Sequence, residues 1–201
     1  MSILISSLFN LNNNLLDGLL SGFIVASVTL LLVRIAWKEL DKMVNINSAD
    51  FIYRLKNDFF TEETRNLITL IDLDAIRFVN NNGIVYFEVI EKKLKDFPEE
   101  IIRLLTQKKF YSPYEIDDLL LGHFEDIGLF VQKGVVDIEM AYKEFDWYVK
   151  TTYENDEIQK YITHLREFEG GDIYDKFEYL YQEFKKLGKL KREKIKNLNR
   201  S

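Results

Sequence analysis

No cysteine occurs anywhere in the chain. Disulfides, thiolate zinc sites and thiol nucleophiles are thereby excluded. Proline appears only twice and glycine nine times, too little punctuation for a turn-rich β-sandwich, so long helices are expected instead. There are only two histidines. No G-x-S-x-G elbow, P-loop or G-x-G-x-x-G is present, which leaves nucleophilic catalysis and nucleotide binding without a motif. Basic residues are also missing before Arg34. A cleaved signal peptide needs a basic start and a small-residue exit site, and neither is found.

What is present is a 201-residue chain with 47% hydrophobic and 30% charged residues. Fifteen Phe and eleven Tyr supply bulky core material. The net charge of −6 is unevenly spread. From Lys185 to Ser201 eight basic residues face one acid, a surplus of +7, and residues 1–43 are neutral, so residues 44–184 hold −13. Such an acidic body repels phosphate backbones, and nucleic acid is not an expected partner.

The longest apolar run, GLLSGFIVASVTLLLV over residues 18–33, contains no charge. With Ile35, Ala36 and Trp37 it reaches the roughly 20 residues that cross a bilayer, provided Arg34 snorkels to the headgroups. A soluble core helix would ordinarily show a polar face. The run is therefore read as an uncleaved transmembrane anchor over 15–37, preceded by a short extracytoplasmic N-terminus over 1–14. Arg34, Lys38, Lys42, Arg54 and Lys56 all follow it, so the positive-inside rule puts the remainder in the cytoplasm beneath the inner membrane. Gly18, Gly22 and Ala26 recur every four residues, a small-residue stripe suited to self-association of two spans.

A juxtamembrane helix or linker over 38–57 comes next, then a helical domain over 58–187 and a basic tail over 188–201. Ser48 is a candidate helix cap, and Thr61-Glu-Glu-Thr opens another helix. Two β-prone runs, 75–79 and 84–89, flank Asn80-Asn-Asn-Gly and predict a small hairpin. Asp96-Phe-Pro-Glu and Ser112-Pro-Tyr-Glu each read as a capped helix start. The clearest helix follows Ser112, with Ile116, Leu119, Leu120, Phe124, Ile127 and Val131 in phase. Asp137, Asn155 or Asp156, and Asp172 begin the remaining helices, and Gly170-Gly171 breaks the chain. The fold class is mainly α, a helical bundle with one small hairpin.

Few residues offer chemistry. His123 with Asp126, and His164 with Glu167, place an imidazole and a carboxylate on one helix face, a spacing that can ligate metal. The di-iron pattern Glu-x-x-His is absent, so salt links on a solvated face are the ordinary expectation and no cofactor is assigned. Gly122 and Gly128 each cost about 1 kcal/mol inside the best helix relative to Ala. Their missing side chains permit close approach, either of another helix of the bundle or of a partner. Trp147 is out of phase with the inward Phe145 and Tyr148, an exposed position typical of interface hot spots. The tail carries Leu187, Leu190, Ile195 and Leu198 among its lysines, loosely amphipathic and suited to an anionic lipid surface.

The segment DDLLLGHFEDIGLFVQKGVVDIEMAYKEFDWYV, with IQKYITHLRE and YDKFEYLY after it, resembles an uncharacterised prokaryotic family of small helical proteins carrying one N-terminal membrane span. The resemblance extends from about Asp58 to Leu187. It implies the anchor and the domain boundary, and brings no functional residues with it. The expectation is a single-pass membrane protein whose helical domain acts as an interaction, adaptor or regulatory module for an unknown partner. The alternatives are a metal-dependent enzyme or effector using the His/Asp/Glu pairs, and lipid binding through the tail.

Overall fold

The computed structural model describes residues 29–39, 48–168 and 170–198. The chain separates into two units, Met1–Ile46 and Asn47–Ser201. In the first unit, residues 29–39 are helical and every one of them is exposed. Leu30, Leu31, Leu32, Val33, Ile35 and Trp37 retain between 46% and 70% exposure. At 3.6 residues per turn these six side chains point all round the helix rather than along one stripe. Among the described residues no helix is long and apolar enough to cross a membrane. Residues 1–28 lie outside the described residues, and with them the N-terminal leader, most of the expected span and the Gly18, Gly22, Ala26 stripe. So do residues 40–47 of the expected linker.

The second unit is a helical bundle with a small antiparallel sheet. Helix α1 covers 48–59. Ser48, its first described residue, is already helical, and its buried hydroxyl donates to the Val135 carbonyl at 3.0 Å, pinning α1 to a distant loop. Thr61 does cap α2 (Glu62–Asp72), accepting from the Thr64 N–H, with Glu62 and Glu63 complementing the positive helix end. Leu67, Ile68, Leu70 and Ile71 face inward.

The hairpin consists of β1 (Ile76–Asn81) and β2 (Ile84–Val89), joined by Asn82 and Gly83. Both turn residues have positive φ, 51° and 84°, the requirement that makes Asn-Gly the preferred pair. A third strand, β3 (Phe110–Tyr111), adds antiparallel to β2, so the expected hairpin is a three-stranded sheet in the order β1-β2-β3. Two residues following a helix carry no periodicity of their own, and only their pairing makes them a strand. The outer edge of β1 is closed by a side chain: the Phe78 N–H donates to the Glu157 carboxylate at 2.8 Å.

Between β2 and β3 lies α3 (Glu99–Leu105). Its N-cap is Pro98, with no side-chain cap, rather than Asp96. Proline one residue further along than in Ser112-Pro113 takes the boundary position itself, and its fixed φ begins the helix without a capping oxygen. Ser112 makes the full capping box with Glu115. The helix after it comprises α4 (Pro113–Ile116), a π turn (Asp117–Leu121) and α5 (Gly122–Gln132). Then come α6 (Ile138–Tyr153), capped by Asp137, α7 (Asp156–Phe168) and α8 (Asp175–Leu198). The Asn155 side chain accepts from the Glu157 and Ile158 N–H groups and so caps α7.

The core lies where α5 crosses α8. A Cβ on Gly128 would stand 2.0 Å from the Lys176 carbonyl oxygen, so the backbones meet directly. Phe124 stacks on Phe177 at 5.1 Å beside this crossing. Phe59 from α1 enters the same interior and meets Phe124, Phe145 and Tyr148 within 6 Å. Helix α8 continues without a break past Leu187, and Gly188 is buried against Tyr142 of α6.

Candidate functional site

Helices α1 and α6 present one stripe each to a shared surface groove. On the α1 side the stripe is Ala49, Ile52, Tyr53, Lys56, Asn57 and then Phe60, at the i, i+3, i+4, i+7 spacing of one helix face. On α6 it is Met140, Lys143, Glu144 and Tyr148. Lys56 and Glu144 bridge the groove at 2.5 Å. That hydrogen bond and the carboxylate charge hold the Lys56 ammonium above its ordinary range.

The bridge divides the groove into two chemically different ends. One, about 260 Å³, is floored by Ala49, Ile52 and Met140, with the Tyr53 ring 64% exposed at its rim. The other, about 410 Å³, is lined by Asn57, Phe60, Arg65 and Tyr148 with Lys56 at its inner wall. Phe60 and Tyr148 meet edge to face at 4.8 Å, so their rings are fixed walls. Neither Arg65 nor Lys143 has an ion-pair partner among the described residues. Three cations and one carboxylate thus line a groove on a strongly acidic body.

Trp147 lines neither end of the groove, but it lies one turn beyond Glu144 on α6, is 50% exposed, and packs edge to face on the groove residue Tyr148 at 4.9 Å. Gly122 and Gly128 are used differently. Gly128 is buried at the α5–α8 crossing. Gly122 closes the π turn, where its N–H reaches the Asp117 carbonyl and an added Cβ would lie 2.9 Å from that oxygen. Both missing side chains therefore serve contacts inside the chain.

The histidines pack on aromatic rings. His123 lies edge to face on Phe59 at 5.5 Å, while His164 sits between Phe78 and Phe168 at 5.7 and 4.7 Å. Asp126 and Glu167 are exposed, and no hydrogen bond among the described residues joins either histidine to a carboxylate. No group of three or more His, Asp or Glu among the described residues could hold a metal ion.

A second polar cluster went unread in the sequence. Asp117, the first residue of the π turn, accepts from the Tyr161 hydroxyl at 3.0 and 3.1 Å and from the Tyr174 hydroxyl at 2.5 Å. Burial, then the bond to Asp117, pushes the Tyr174 phenol far above its usual range. A phenol so held donates and does not act as a base near neutral pH. Tyr174 has a φ of 60°, a left-handed conformation rarely adopted by a bulky residue. The cluster ties α7 and the start of α8 to the π turn. It is a lock in the fold, made of three side chains from three separate segments.

A scan against protein-family models gives no match, and searches of curated proteins and of solved structures likewise find none.

Proposed function

We propose that the protein is a single-pass, membrane-anchored module whose helical unit binds a protein partner on the cytoplasmic side. One observation carries the anchor: the helix over 29–39 exposes apolar side chains all round. A helix hydrophobic in every direction needs a non-aqueous surrounding, either a protein interior or a bilayer. The uncharged run leading into it from Gly18 is long enough, with Ile35 to Trp37, to span the hydrocarbon once Arg34 snorkels. The basic residues that follow orient it with the N-terminus outside. The α1–α6 groove, with its exposed aromatics and unpaired cations, supports the recruiting role. The resemblance to an uncharacterised single-span family fits the same reading, and the Gly18, Gly22, Ala26 stripe would let two spans pair.

The absence of cysteine makes the test clean. Membranes washed in alkaline carbonate should retain the full chain. A Ser2→Cys variant should react with an impermeant maleimide in intact cells, and a Ser201→Cys variant only after lysis. Release into the carbonate supernatant, or labelling of Ser201→Cys in intact cells, would refute the anchor or its orientation.

A second reading, lipid contact by the end of α8, is supported by Leu190 and Ile195, which are 61% and 58% exposed among Lys189, Arg192 and Lys196. A Leu190→Glu, Ile195→Glu double variant tests it, since both side chains are exposed and the Arg192 contact to the Gly188 carbonyl is kept. Loss of binding to phosphatidylglycerol vesicles is the expected result, and unchanged binding would remove the idea.

A further inference from the structure

The two ends of the α1–α6 groove differ in chemistry at a spacing that a polypeptide matches. Tyr53 and Phe60 are seven residues apart, about 10 Å along the axis at 1.5 Å per residue. One end is apolar. The other offers Arg65, Lys56 and two fixed ring faces. Arg65 is exposed and unmatched by any carboxylate among the described residues, so its planar fork is available for a bidentate contact. Trp147, half-exposed, packs on the Tyr148 ring that walls this end, so a partner seated there would desolvate it.

We infer that this groove docks an acidic amphipathic segment of a partner protein. A bulky apolar side chain fills the Ile52–Met140 end, and a carboxylate two helical turns away, or about three residues away if extended, meets Arg65 and Lys56. Charge complementarity selects the class. The surplus of basic residues is local, while residues 44–184 together carry −13. A broad anionic lipid surface would meet the acidic body as well as the groove and be repelled, whereas a narrow acidic segment meets only the groove. The Lys56–Glu144 bridge adds a selection rule. A carboxylate arriving at Lys56 competes with Glu144, while a basic residue there would lack an unpaired acid to meet. This inference rests on the interaction-module reading and is independent of the anchor.

The test uses the full chain in zwitterionic detergent and a random peptide library displayed on phage, with a charge-scrambled library as control. Enriched peptides should pair an acid with a large apolar residue at helical or extended spacing. A labelled synthetic copy should bind Arg65→Glu and Trp147→Ala each about tenfold more weakly or worse. Exchanging the peptide's acid for Lys should restore affinity for Arg65→Glu, a rescue that a merely unfolded variant cannot give. Thermal melts of both variants should match the parent, because neither side chain is buried. Enrichment of basic or uncharged peptides overturns the inference, as does affinity indifferent to both substitutions. Arg65-dependent binding of inorganic phosphate or phosphatidylglycerol bicelles without any peptide binding also overturns it. In each of these cases carbonate extraction still decides the anchor separately.

Discussion

The helical residues 29–39 and helix α5 are both rich in large apolar residues, yet differ in how far those residues are exposed. In α5, Phe124, Ile127, Gly128 and Val131 are buried against the rest of the bundle, and its glycine brings α8 to backbone contact. In the other helix each residue remains exposed. The difference lies in neighbours rather than in hydrophobicity. Helix α5 is apolar along a stripe and polar at Glu125 and Asp126, so the bundle can take one side and water the other. The 29–39 helix has only Arg34, Lys38 and Glu39 as charged members, and burying its full circumference requires a surrounding phase.

The comparison breaks most severely at Gly128. Gly128→Ala places a methyl group 2.0 Å from the Lys176 carbonyl, so α5 and α8 must part. We expect a loss of about 3 kcal/mol, read as a fall in melting temperature of roughly 6–12 °C for a unit of this size. The matching change in the other helix, Leu31→Arg, should leave that melt unaltered while weakening membrane retention, by less than the roughly 2.5–3.5 kcal/mol that an arginine costs at the centre of a span. A shifted melt with intact retention would show that the 29–39 helix packs on the protein after all. Gly122→Ala is milder, because the offended Asp117 carbonyl is 2.9 Å away and a π turn can adjust. About 1 kcal/mol of destabilisation is expected in urea titration. A gain in stability would instead mean that the turn relaxes to ordinary helix and recovers alanine's propensity.

The smallest effect lies at the helix start just before this region. Lys108, and after it the Ser112 N–H, hold the Glu115 carboxyl below the usual carboxylate range. A depressed acid contributes stability that is present above its unfolded pKa and lost as pH falls through the folded one. The pair is about one-third exposed, so solvent screening keeps the contribution near 0.5 kcal/mol. Glu115→Gln should cost that much at neutral pH and nothing in acid, where the parent's advantage has vanished.

Much of the bundle was legible because its punctuation is local. Thr61, Ser112 and Asp137 cap the helices they precede, and Gly134, with φ at 68°, ends α5. Asn82-Gly83 makes its turn from backbone preference alone. Ser48 and Pro98 show where that logic stops. The Ser48 hydroxyl bonds a long-range carbonyl, and Pro98 occupies the helix boundary in place of Asp96. Of the groove region only the outward phase of Trp147 was legible; nothing local says that α6 would place Met140 and Tyr148 opposite the α1 residues. Arg65 was unremarkable until its lack of a partner could be seen. The Asp117–Tyr161–Tyr174 cluster joins residues 44 and 57 positions apart, and no periodicity connects them.

By itself the sequence determined the helical class, the exclusion of thiol chemistry, the apolar run and the segregation of charge, since each follows from composition or from interactions within a few residues. Tertiary structure decided how α5 meets α8, where the two glycines of the best helix were used, and which groove cations were left without an acid among the described residues. Those outcomes depend on which surfaces meet. That meeting is set by packing among segments distant in the chain, and a local reading has no access to it.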